Sequence, residues 1–206
     1  MGRWAGIDRT VFQWFNGLAG RSPVADEAAA WFTSHSPLVF AGLFAVYFLA
    51  ARTQPPRRRH SLRRAVIIAG VAGTLAIICT GILEHLVYRA RPFVSLSPGQ
   101  VHLLVPHNAS SSFPSDHAAG SAGFAIGMWP SRSVSARWIF SVTALLVGVS
   151  RLVAGVHWPS DVAGSFALGG VIAAITPWIL RPATPVIDFL IDQYEILERR
   201  LWPPRR

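Results

Sequence analysis

Three stretches of this chain, Ala28–Ala51, Ala65–Leu83 and Val162–Leu180, contain no Asp, Glu, Lys or Arg. Charge-free segments of that length suit a helix approaching or crossing a hydrocarbon core of about 30 Å, where only closed backbone hydrogen bonding is tolerated. Two shorter apolar runs, Ala118–Pro130 and Trp138–Ser150, reach a similar length once their flanks continue the helices. The pattern predicts an all-α, polytopic membrane helix bundle with about five to six transmembrane helices. Only 14% of the 206 residues are charged, and the long uncharged runs argue against one or two soluble domains.

A net charge of +9 raises nucleic acid as a partner, but the distribution of that charge argues against it. All nineteen basic residues are Arg. Arg52, Arg57, Arg58, Arg59, Arg63 and Arg64 crowd the connection between the first two spans, Arg132 and Arg137 mark another, and Arg181, Arg199, Arg200, Arg205 and Arg206 lie in the tail. Arginine concentrated in alternate connections is the positive-inside pattern, so these segments are expected in the cytoplasm. Loops 89–115 and 151–160 then share the extracytoplasmic face. An odd number of spans puts the N-terminus there too, which Arg3, Arg9 and Arg21 oppose. Cys79 is the single cysteine and lies in a span, so there is no disulfide framework. The first residues lack the charged and apolar regions of a cleaved signal peptide.

Spacing of Ile7, Val11, Phe12, Phe15 and Leu18 among polar residues predicts an N-terminal interfacial helix within residues 1–27. The spans follow within 28–51, with a kink expected near Pro37, and at about 65–88, 115–129, 136–155 and 160–180. Residues 185–201 have the spacing of an amphipathic helix on the cytoplasmic surface. The whole reads as one domain, 1–206, with its core at about 65–180 and a cytoplasmic tail at 181–206.

Ionisable residues collect at span ends on one predicted face, in "RARPF" at 89–93, "FPSDHA" at 113–118 and "SRLVAGVHWPSD" at 150–161. Arg91 and Arg151 offer guanidinium forks for phosphate oxygens, with Arg89 a further candidate. Ser115 is placed to cap a helix whose first amides, around Asp116, point at an anion along the positive end of the helix dipole. His117, in that first turn, can deliver a proton to a leaving oxygen. His157 precedes Pro159, a good first helical residue. Asp161, four residues after His157, is near enough to accept a hydrogen bond from one ring nitrogen and free the other to attack. Singly, a span-end Arg snorkels to headgroups and a loop His is solvated, the reading that fits His35, His60, His85, His102 and His107. Together, two Arg, two His, one Asp and a helix N-terminus on one face of a charge-poor chain point to phosphate chemistry. His117, His157 and Asp161 are residue types that ligate zinc, but no His-x-x-x-His helix or Cys pair supports a metal, and the arginines favour an anion.

"PSDH" and "SRLVAGVHWPSD" resemble the second and third signatures of the type 2 phosphatidic acid phosphatase (PAP2) superfamily. The third, Ser-Arg, five residues, His, three residues, Asp, is matched in full. The first, Lys, six residues, Arg-Pro, is matched at Arg91 and Pro92, while Glu84 stands at the Lys position and Arg89 is available to substitute. "VHLLVPHNASSSFPSDHAAG", the short N-terminal helix and "RPATPVIDFLIDQYEIL" are similar to the bacitracin-resistance branch of undecaprenyl pyrophosphate phosphatases, a branch that often lacks that Lys. The resemblance implies a PAP2/haloperoxidase-like core in a bacterial plasma membrane, with the active site on the extracytoplasmic face and no metal or cofactor required. It implies that His157 is the nucleophile, forming a phosphohistidine, that Asp161 orients it, and that His117 protonates the leaving group and then activates water. Arg91, Arg151, Ser115 and the amides near Asp116 would hold the phosphoryl oxygens. The implied substrate is a polyprenyl pyrophosphate entering from the bilayer, its product returning to the cell-wall carrier cycle. Phosphatidic acid, phosphatidylglycerol phosphate or another prenyl phosphate is the alternative, and a silent lipid-phosphate binder or transporter a further one.

Overall fold

Serine and proline set where the helices begin. Ser22, Ser115 and Ser133 each accept a hydrogen bond from the amide three residues on, while Pro23, Pro56 and Pro159 open helices. A computed structural model describes residues 3–202. Its helices are α1 (Arg3–Asn16), α2 (Pro23–Ala50), α3 (Pro56–Leu86), α4 (Pro92–Ser95), α5 (Asp116–Gly127), α6 (Val134–Val153), α7 (Pro159–Ile179) and α8 (Thr184–Leu201). Among the described residues there is no strand, so the chain is an all-α membrane bundle. Pro37 lies inside α2 without ending it, and Gly20, at a φ of 81°, turns the chain from α1 into α2.

Four helices, α2, α3, α6 and α7, are long and apolar enough to cross a membrane. The third expected span is shorter than the others. With 12 residues, α5 is about 18 Å long, well short of a hydrocarbon core. It needs no lipid-facing length because α2, α3, α6 and α7 surround it. Its small residues permit that enclosure. A Cβ at Gly123 would lie 2.7 Å from the Gly73 Cα, and one at Gly169 would lie 2.1 Å from the Ala119 carbonyl oxygen. The helices therefore meet backbone to backbone, as in other small-residue membrane interfaces. The Ser115 amide donates to Ser165 Oγ, at 2.7 Å. Ser165 lies six residues into α7, so α5 begins about 9 Å below the start of that helix.

At the arginine-rich end, α3 starts nine residues before the expected Ala65, and Arg57–Arg64 form its first turns. Their charge is met by α8, whose Asp188, Asp192, Glu195 and Glu198 recur at helical spacing along one face. Arg59 pairs with Glu195, Arg63 with Glu195 and Glu198, and Arg64 with Asp188. Arg63 is fully buried, its guanidinium carbon 4.7 Å from the Tyr194 ring centroid and 5.2 Å from that of Phe48. The amphipathic tail helix thus docks on the bundle rather than only lying beside it. Arg205 and Arg206 lie outside the described residues.

At the other end α1 is fixed by its polar and aromatic face. Phe12 is fully buried and packs against Trp158, with ring centroids 5.2 Å apart. Asn16 donates to the carbonyls of His102 and Val153. Ile7, Val11, Trp14 and Leu18 remain exposed, as an interfacial helix requires. Five helices run through the bundle, so α1 and α8 sit at opposite ends of it.

Candidate active site

The loop between α6 and α7 carries His157, which is 1% exposed. Its Nδ1 donates to the Ser112 carbonyl at 2.7 Å, which fixes the proton there and leaves the Nε2 lone pair free. That lone pair faces Arg151 Nη2 at 3.1 Å and Arg91 Nη1 at 3.3 Å. Burial, then the nearby Arg151 and Arg91 charges, push the His157 pKa well below the usual imidazole value, so the ring stays neutral. A buried neutral nucleophile between two guanidiniums is suited to attack an anionic centre that those guanidiniums hold.

Both arginines are positioned by main-chain carbonyls. Arg91, in the extended segment before α4, donates to the Val156 carbonyl at 3.0 Å and to the Ser110 carbonyl and hydroxyl at 3.2 and 3.1 Å. Burial lowers the Arg91 pKa, against the opposing charges of Asp116, Asp161 and Glu84. Arg151, in the last turn of α6, donates to the Thr33 carbonyl of α2 at 3.1 Å. Its Nε is buried without a hydrogen-bond partner among the described residues.

Three expected contacts differ. Asp161 does not bond His157: its Oδ2 lies 4.0 Å from Nδ1. As the third residue of α7, it accepts from the Trp158 amide at 2.9 Å and from Ser112 Oγ at 2.5 Å. The link to His157 therefore runs through Ser112, whose hydroxyl serves Asp161 and whose carbonyl serves the imidazole. Arg89 is turned away from the site. It donates to Asp161, Ser160 and Asp8, and its guanidinium lies 5.6 Å from the Trp158 ring centroid. Two carboxylates claim it, so it anchors α1 to α7. The start of α5 is also partly filled. Ser115 caps the Ala118 amide as expected, at 3.4 Å, but the His117 amide donates to the Asp116 carboxylate at 2.7 Å. The same Asp116 Oδ1 lies 2.7 Å from His117 Nδ1, so the Asp116 side chain orients the His117 ring.

Ser110 and Ser112, in the serine run beside "PSDH", join the cluster, and so does His107, which the sequence marks only as a solvated loop histidine. Among the described residues no three His, Cys, Asp or Glu side chains converge as metal ligands do. A polar cavity of about 230 Å³ is lined by Glu84, Arg91, His107, Ser110, Asp116 and His117. An apolar groove of about 400 Å³, walled by Phe40, Phe44, Gly70, Thr74 and Phe124, also ends at Asp116 and His117. A roomier cavity of about 750 Å³ at the arginine-rich end is lined by both signs of charge and touches none of these groups.

The PAP2 superfamily model matches residues 65–185. Undecaprenyl-diphosphatase BcrC of Bacillus subtilis is 29% identical, over 93% of each chain. The bacitracin transport permease protein BcrC of Bacillus licheniformis is 31% identical, over 95% of this chain and 91% of that one. Among solved structures, the transmembrane PAP2-type phosphatidylglycerolphosphate phosphatase of Bacillus subtilis superposes with a TM-score of 0.61 at 20% identity over 88% of each chain. LpxE of Aquifex aeolicus gives 0.60 at 24% identity, over 81% of this chain and 92% of that one.

Proposed function

The chain belongs to the PAP2 superfamily and is a membrane phosphatase, and from that premise we propose that it hydrolyses undecaprenyl pyrophosphate to the monophosphate. The observation that carries this reading is the junction at Asp116 and His117 of the apolar groove with the polar cavity that Arg91 lines. The groove takes the first isoprene units of a polyprenyl tail, the rest staying in lipid, and the cavity takes its diphosphate. His157 Nε2 attacks the terminal phosphorus as the bridging P–O bond breaks. His117 gives its proton to the departing prenyl phosphate. It then takes a proton from water, whose oxygen attacks the phosphohistidine and releases inorganic phosphate. Arg91 and Arg151 hold the phosphoryl oxygens throughout, and Ser112, backed by Asp161, keeps the His157 tautomer.

Purified protein is expected to release phosphate from undecaprenyl pyrophosphate faster than from phosphatidic acid, and equally with EDTA present. Equal or better turnover of phosphatidic acid overturns the substrate; loss with EDTA overturns the metal-free chemistry.

We propose further that the site faces the extracytoplasmic side of a bacterial plasma membrane, because the arginines gather at the opposite end. In a Cys79→Ala background, an impermeant maleimide added outside intact cells is expected to label Ser97→Cys and not Thr53→Cys. The reverse pattern inverts the orientation.

A further inference from the structure

His107 lies in the long loop before α5, half-buried on the wall of the polar cavity. Nothing in the reaction outlined above uses it. Its Nδ1 faces the Asn108 carbonyl at 3.3 Å, which places the ring proton on Nδ1. Its Nε2 lies 3.2 Å from Arg151 Nη2 and accepts from it. That same Nη2 lies 3.1 Å from the nucleophilic Nε2 of His157, and the two imidazole centroids are 6.4 Å apart. One guanidinium nitrogen thus serves two neutral imidazoles.

A phosphoryl group seated for attack by His157 needs that nitrogen for one of its own oxygens. The His107 Nε2 lone pair then faces an anionic oxygen, an arrangement that repels until a proton lies between them. We propose that His107 is a further phosphate-contacting residue, which yields Arg151 to the incoming phosphoryl group and takes a proton from solvent at Nε2 to become a donor to it. The inference rests on the phosphatase reading of the same site.

The groups facing His107 fit this exchange. Burial, then the charges of Arg91 and Arg151, which oppose a third positive charge, hold the pKa of His107 down to about 4. Asp116 acts in the opposite direction. Glu84 and His117 line the same cavity, and His157 stays neutral. A bound phosphate dianion offsets both guanidinium charges, so the proton arrives with the ligand. Binding that takes up a proton weakens as pH rises from the free-state pKa to the higher pKa of the bound state, by up to about tenfold per pH unit, and levels off above it.

The test uses the full-length protein with inorganic phosphate as a competitive probe between pH 5.5 and 8.5. The variants are His107→Gln and His107→Asn, whose amides donate without titrating, and His107→Ala, which has no donor. The inhibition constant of the parent protein is expected to rise more steeply with pH than that of either amide variant, by up to about tenfold per unit. The alanine variant is expected to bind phosphate about tenfold more weakly than the parent at the acid end. Equal pH slopes in parent and amide variants overturn the proposal while leaving the phosphatase reading intact. Absence of phosphate competition in the parent protein, together with no diphosphate hydrolysis, overturns both.

Discussion

A His157→Ala variant is expected to lose at least about 10³-fold in kcat, because no other described side chain places a free lone pair between Arg91 and Arg151. The fold should survive the change. Both guanidiniums keep main-chain partners, Arg91 at Val156 and Ser110 and Arg151 at Thr33. The readout that separates a lost nucleophile from a lost binding site is covalent. An acid-labile, alkali-stable phosphate label on the protein, formed from a substrate labelled in its terminal phosphoryl group, should be present in the parent and absent in the variant. Phosphate competition should persist in both. Since burial and the two guanidiniums hold the His157 pKa well below the usual imidazole value, its protonation should not set an acid limb of the parent's kcat/KM profile in the usual imidazole range. A variant that turns over at the parent rate removes His157 from the nucleophile's role.

Much of this bundle is legible as charge pattern. The uncharged runs give α2, α3 and α7, and glycine spaced through residues 120–127 marks α5 as a helix that others approach closely. What the pattern does not carry is which charge meets which across the chain. Arg63 reads as part of a solvated cytoplasmic loop, yet it is buried because Glu198, 135 residues later, returns to meet it. Arg89 reads as a spare phosphate ligand, but Asp8 and Asp161 occupy it from both directions along the sequence.

The same limit explains the site. A separation of four residues puts two side chains together only when both lie on one helix. His157 precedes α7, whereas Asp161 lies in its first turn and caps it, so Ser112 from a different loop fills the gap. His107 reads as a solvated loop residue because the path that returns its loop over Arg151 is set by tertiary contacts. One of these is the Asn16 side chain, which accepts from the His102 amide at 2.9 Å. The residues that carry chemistry are readable as types at span ends; the groups that aim them are not.

His117→Ala is expected to slow hydrolysis of the prenyl diphosphate by about 10²–10⁴-fold, the usual contribution of a positioned general acid–base. The loss should depend on the leaving group. An aryl phosphate whose phenolate departs without a proton needs no acid in the first step. It should therefore form the phosphohistidine at near the parent rate and then stall, giving a burst followed by slow turnover, since His117 also activates the water. Asp116 makes the assignment more specific. Its Oδ1 accepts from His117 Nδ1 at 2.7 Å and from the His117 amide at the same distance. The ring is thereby turned so that Nε2 is the nitrogen available to substrate. Asp116→Gly should leave an unoriented imidazole and fall between the parent and His117→Ala, by about tenfold. Its burst with the aryl substrate should remain, and its second step should be slowed less than in His117→Ala. Equal rates for His117→Ala and the parent on the prenyl diphosphate eliminate His117 as the acid. Asp116→Gly at the parent rate instead leaves the acid in place and removes its orienting partner.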